Sequence, residues 1–414
     1  MKRDKYLNEL VALRHNGMIK VITGIRRCGK SYLLFNIFAT WLEENGVGED
    51  HIIKVDLENY KNRKLRDPDE LYSYVESSII DGGMYYILLD EVQMLGDFEA
   101  VLNGFLHIVN ADIYVTGSNA RFLSKDVITE FRGRGFEVRV NPFSFSEFIS
   151  QFEGSLQAGL NEYLLYGGLP QAILAPNEEV KVKYLKTLFA ETYIRDIKER
   201  YGILHDSDLE ELTDIVASDI GALTNPSRIA NTFRSEKRSR ISYDTVKLYL
   251  DYLCDAFIVE KCSRFDVKGR RYINSLSKYY FTDLGLRNAR IGFRQDERTH
   301  LMENLVYNEL RIRGFNVDVG VVPVVTRADG RQKRSQLEID FVCNLGSRRY
   351  YVQSAYRMSS EEKEEQEKAS LGKVDDSFKK IVIVGEETPV TRDNRGIVTM
   401  SIYDFLTKAD ALDL

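Results

Sequence analysis

The chain has 414 residues, 43% of them hydrophobic, and a formal net charge of −6, enough to bury several cores in roughly two to four domains. No apolar run approaches the ~18 residues of a membrane span, and no apolar signal region follows Met1-Lys2-Arg3-Asp4-Lys5, so no membrane contact and a cytoplasmic address are expected. Cys28, Cys254, Cys262 and Cys343 lack C-x-x-C spacing, which argues against a disulfide framework or a zinc site and for reduced thiols.

In chain order, the apolar run 18–23 reads as a buried strand and leads into Gly24-Ile25-Arg26-Arg27-Cys28-Gly29-Lys30-Ser31. These eight residues match the phosphate-loop pattern G-x-x-x-x-G-K-[ST] in full. Glycine is needed where the backbone turns with positive φ and where its N–H groups approach a polyanion with no Cβ in the way. Gly24 and Gly29 meet those needs. Lys30 is expected to reach the β- and γ-phosphates of ATP, and Ser31 to offer its hydroxyl to Mg²⁺. Ser31 and Tyr32 open a helix expected over 30–45, whose positive end faces the phosphates.

A strand at 51–57, a helix at 68–80, a strand at 85–90, a helix at 97–110 and a strand at 111–116 follow. Their alternation predicts a parallel sheet covered on both faces. The apolar strand Tyr85-Tyr86-Ile87-Leu88-Leu89-Asp90-Glu91 ends in two carboxylates. Asp90 is expected to hold the metal, and Glu91 to act as general base on the attacking water. The strand ending Thr116-Gly117-Ser118-Asn119 puts Ser118 or Asn119 in line to sense the γ-phosphate. Beyond it, Arg132 and Arg134 stand before another strand. One of them either serves as an arginine finger to a neighbouring subunit or pairs with surface carboxylates.

Residues 151–220 read as a helical lid, broken at Tyr166-Gly167-Gly168-Leu169-Pro170. Residues 221–292 read as a winged helix, with helices opening at Asn225-Pro226 and Ser242-Tyr243 and then a hairpin. Residues 224–290 hold 14 Lys or Arg against 7 Asp or Glu, a net of +7. Lys237, Arg238, Arg240, Lys268, Arg270 and Arg271 gather at the expected turn and wing, where they suit DNA phosphates; protein contact is the other reading. In residues 293–414, Glu303, Asp340 and Gln353 on a helix and two strands have the arrangement of a metal-dependent nuclease core. Gln353-Ser354-Ala355 stands where such a core has Glu-x-Lys, so a structural or DNA-docking use is expected of it.

The set Gly24 to Ser31, Leu89-Asp90-Glu91-Val92-Gln93, Thr116-Gly117-Ser118, Gly133-Arg134, Pro142-Phe143-Ser144-Phe145-Ser146-Glu147-Phe148, Gly167-Gly168-Leu169-Pro170, Tyr279 to Asn288, Glu303-Asn304 and Glu338-Ile339-Asp340-Phe341 resembles a large prokaryotic family of AAA+-type ATPases. Its members resemble archaeal and STAND-like ATPases at the front and carry a winged helix and a PD-(D/E)XK nuclease-like domain behind. The resemblance implies an α/β chain: a P-loop NTPase parallel sheet over 1–150, the lid over 151–220, the winged helix over 221–292, and a small α/β restriction-endonuclease-like domain over 293–414. It implies ATP binding and hydrolysis, with Arg134 at the position of a finger in a homo-oligomer. Two other classes stay open: a nucleotide-gated switch with a protein partner, and an active Mg²⁺-dependent nuclease.

Overall fold

The computed structural model describes residues 2–117, 133–203, 206–236, 241–294, 297–328 and 331–414. The chain divides into two compact units, Met1–Pro142 and Phe143–Leu414.

The first unit is built on β1 (Ile19–Thr23), β2 (Ile52–Asp56), β3 (Tyr85–Asp90), β4 (Ala111–Thr116) and β5 (Gly135–Arg139), all parallel in the order β2-β3-β4-β1-β5. Every residue of β1 and β3 is buried, as strands covered on both faces require. Ile19, Val21, Ile87, Leu89, Ile113 and Val115 pack on one face against Phe98, Val101, Leu102 and Phe105 of the helix Phe98–Phe105. Each such side chain contributes about 1.5–3 kcal/mol through burial. The second helix on this face, Pro68–Ser78, starts where proline is tolerated, and Asp67 caps it by accepting from the N–H groups of Asp69 (3.0 Å) and Glu70 (3.2 Å). Lys20 sits fully buried within apolar β1. Its ammonium pairs with Asp112 of β4, which also accepts from the Tyr114 hydroxyl (2.9 Å) and the His15 N–H (3.1 Å).

Helices dominate the front of the second unit: Leu156–Tyr166, Pro170–Ile173, Glu178–Leu188 with its continuation to Tyr201, Asp206–Ser218, Pro226–Glu236 and Tyr243–Asp255. An eight-stranded sheet follows. Its members are β6 (Val259–Asp266), β7 (Arg271–Phe281), β8 (Asn316–Ala328), β9 (Arg331–Leu345), β10 (Arg348–Ala355), β11 (Lys379–Val384), β12 (Thr391–Arg392) and β13 (Val398–Ser401), in the order β12-β13-β11-β10-β9-β8-β6-β7. The β6–β7 hairpin follows the helix Tyr243–Asp255, and β6 also pairs in parallel with β8, from Arg264 opposite Val319 to Asp266 opposite Val321. The basic hairpin and the rear strands therefore share one sheet. The helix Arg298–Ile312 buries Leu301, Leu305, Val306 and Leu310 and carries Glu303.

Candidate functional site

At the carboxyl end of β1 the chain turns sharply. Gly24 has φ +136, and a Cβ there would lie 2.1 Å from the carbonyl oxygen of Val140. Only glycine fits. Arg27 and Gly29 also have positive φ, of 65° and 99°, so the loop curls and the helix begins at Lys30. The Lys30 ammonium is buried and folds back on its own loop, donating to the carbonyls of Gly24 (3.0 Å) and Ile25 (3.1 Å). Cys28 is fully buried and its Sγ lies 3.3 Å from the Val140 carbonyl oxygen, which makes it a packing residue of the loop. Arg26 is half-buried, while Arg27 and Tyr32 are exposed.

Because all five strands are parallel, their carboxyl ends share one edge, which is where open α/β sheets take ligands. That edge brings Asp56, Asp90 and Thr116 together with the loop after β1. Asp90 is buried and accepts a hydrogen bond from the Thr116 hydroxyl, and the Ser31 hydroxyl lies near enough to stabilise its charge. Burial pushes its carboxyl up to about 6; the Thr116 and Ser31 hydroxyls pull down, and the nearby Glu91 and Asp56 charges add to the rise. Glu91 follows in the left-handed region, φ 53°, a conformation a non-glycine residue adopts only when its surroundings impose it. Its N–H donates to Thr116 Oγ1 (3.0 Å), and its carboxylate accepts from the side-chain amide of Gln93. A glycine-lined cradle, a buried ammonium resting on loop carbonyls, and a hydroxyl on a carboxylate suit a triphosphate with a hard cation.

Thr116 and Gln93 belong to this cluster, yet the motifs do not single them out. Thr116 opens Thr116-Gly117-Ser118 and Gln93 closes Asp90-Glu91-Val92-Gln93. Neither is charged, and only the strand order makes Thr116 a neighbour of Asp90. Ser118, Asn119 and Arg132 lie outside the described residues. Arg134 is exposed just before β5, and its carbonyl oxygen accepts from the Ile19 N–H (2.8 Å). That is the amino edge of the sheet, opposite Gly24 and Asp90, so Arg134 does not join the cluster of its own chain.

In the second unit, Lys268, Arg270 and Arg271 are exposed at the β6–β7 turn, whereas Lys237, Arg238 and Arg240 lie outside the described residues. Glu303 and Asp340 are both buried, and Glu303 is near enough for its charge to act on Asp340. Gln353 sits beside them, its Oε1 3.3 Å from the Asp340 N–H and its Nε2 3.4 Å from Glu367. The sequence reading has no lysine here, and the structure corrects that: Lys278 of β7 is buried with its ammonium 2.9 Å from Glu303 and 2.7 Å from Glu338. Lys278 was missed because it precedes Asp340 by many residues and enters from another strand. Burial and the Glu303 charge hold the Asp340 carboxyl well above the usual range, with Lys278 opposing them. Among the described residues, no three or more metal-ligating side chains gather at metal spacing.

Residues 16–149 match the family model of an AAA domain, and residues 157–297 match that of a domain of unknown function. An uncharacterized protein of Haemophilus influenzae is 31% identical over 98% of this chain and 98% of its own. An uncharacterized protein of Methanocaldococcus jannaschii is 28% identical over 89% of this chain and 81% of its own. Among solved structures, the Aeropyrum pernix ORC1 protein in complex with DNA is 14% identical, covers 70% of this chain and 91% of that one, and has a TM-score of 0.29, too low to carry an argument.

Proposed function

We propose, from the premise that this chain belongs to the family of its full-length Haemophilus influenzae relative and carries an AAA domain at its front, that it is an Mg²⁺-dependent ATPase whose nucleotide state acts on a DNA-binding rear unit. One observation carries the catalytic half. The loop turns at Gly24 with the buried Lys30 ammonium on the carbonyls of Gly24 and Ile25, at the same sheet edge where Asp90 ends β3, which supports a phosphate cradle beside a metal-holding carboxylate. Bound there, Mg²⁺ would neutralise charge building on the β- and γ-phosphate oxygens. Lys30 exchanges the carbonyls of Gly24 and Ile25 for phosphate oxygens. Asp90, fixed by Thr116, orients the cation's shell. Glu91 takes the proton of the attacking water, and Ser118 or Asn119 senses the γ-phosphate. Arg134, exposed at the far edge of its own sheet, is assigned to the nucleotide of a neighbouring copy.

The DNA half rests on charge. Residues 224–290 carry +7 in a chain of −6, and Lys268, Arg270 and Arg271 project at an exposed turn. ATP turnover measured with and without single- and double-stranded DNA over a salt series tests the coupling. Stimulation by DNA that fades as salt rises is expected; turnover indifferent to DNA at every salt concentration overturns the rear unit's role. A second reading, an active nuclease, is favoured by Lys278 lying among Glu303, Glu338 and Asp340. Mg²⁺-dependent cutting of DNA that disappears in both Lys278→Ala and Asp340→Ala would establish it.

A further inference from the structure

The residue after next to Glu91 holds a group that the chemistry above does not use. Glu91 turns the chain with φ 53°, and the short helical turn Val92–Met94 brings Gln93 back beside it. The Gln93 side-chain amide donates to Glu91 Oε2. A carboxylate can only accept, so the nitrogen of that amide must be the end that faces Glu91. The other end, Gln93 Oε1, is buried and has no hydrogen-bond partner among the described residues. A buried amide oxygen without a donor carries its desolvation penalty, and such a group in a native structure calls for an explanation, a catalytic role or a bound water among them.

The geometry points to Gln93 as the water-positioning residue of the hydrolytic site, an inference that rests on the ATPase reading. Water has two O–H groups, and the pair Glu91 and Gln93 offers two acceptors joined by their own hydrogen bond. One O–H donates to the Glu91 carboxylate and the other to Gln93 Oε1, which fixes the oxygen lone pair in one direction. In the reaction the water oxygen bonds to the γ-phosphorus and its proton passes to Glu91. The bond from that phosphorus to the β–γ bridging oxygen breaks, and its electron pair leaves on ADP. The frame beneath is stiff, because Thr116 accepts from the Glu91 N–H (3.0 Å) while donating to Asp90.

The test compares the full chain with Gln93→Met, which keeps the side chain's length and removes both polar ends, and with Gln93→Asn, which keeps the amide but is one methylene shorter. Expected for both is an ATP dissociation constant within about two-fold of the parent, with kcat lowered roughly 10- to 100-fold. Affinity for ADP with aluminium fluoride and Mg²⁺, a mimic of the transferring phosphoryl group, should fall by a similar factor. Turnover by Gln93→Met within about two-fold of the parent, or faster, overturns the assignment of Gln93 while leaving the ATPase reading intact. Loss of ATP affinity in step with kcat in both variants makes Gln93 structural and overturns it as well. A parent that neither binds nor hydrolyses ATP removes the reading beneath it.

Discussion

At the scale of single residues, the front site depends on a few atoms with no substitute. Gly24 cannot carry a Cβ, since that atom would sit 2.1 Å from the Val140 carbonyl oxygen in a backbone with φ +136. Gly24→Ala is therefore expected to cost about 1–3 kcal/mol and to widen the loop; a melting curve and an ATP titration on the same variant check both effects. Lys30→Ala should abolish nucleotide binding, because the buried ammonium on the carbonyls of Gly24 and Ile25 is the group expected to take the phosphate charge. Glu91→Gln should bind ATP as the parent does and stop turning it over; equal turnover by variant and parent would remove Glu91 from the role of base.

At the scale of elements, several motifs that accompany the phosphate loop are explained by structure alone. In Pro142 to Phe148, Ser144 accepts from the Glu147 N–H (3.2 Å) and Glu147 accepts from the Ser144 N–H (2.8 Å), a reciprocal cap that starts the helix Phe145–Ile149. The glycine pair Gly167-Gly168 and the stretch from Asp283 to Asn288 are two halves of one clamp. Buried Asp283 accepts from the N–H groups of Gly168 (2.7 Å) and Leu286 (3.0 Å), while Asn288 Nδ2 donates to the carbonyls of Leu164 and Leu165 (2.9 Å each). Burial pushes the Asp283 carboxyl up to about 6, against the main-chain N–H groups that pull it down. The folded state therefore holds the proton more tightly than the unfolded one, and the associated stability is full below a pH near 4 and lost as the pH rises through about 6. Relative to Asp283→Asn, which stays neutral, the parent should lose up to about 3 kcal/mol between pH 4 and pH 7 and then level off. Unfolding monitored by circular dichroism at several pH values measures that difference, and a flat difference would show the carboxyl to be ionised throughout.

At the scale of the whole molecule, charge is divided unevenly along the chain, and the basic stretch includes a turn that the second unit leaves exposed. Replacing Lys268, Arg270 and Arg271 together by alanine should weaken DNA binding alike for all sequences. It should also flatten the slope of log K against log salt by about 2–3. An unchanged slope would move DNA contact away from this hairpin. The phosphate loop, the Asp90-Glu91 pair and the alternation of strands and helices were legible in the sequence, because each is a local pattern: spacing, period and the special backbone freedom of glycine. Strand pairing is not local. Only the tertiary structure decided that β4 lies between β1 and β3, which puts Thr116 on Asp90 and Glu91, that the basic hairpin belongs to the rear sheet, and that Lys278 enters among Glu303, Glu338 and Asp340. These contacts join residues far apart in the chain, and their energy comes from burial and register across the sheet, which no short window of residues encodes.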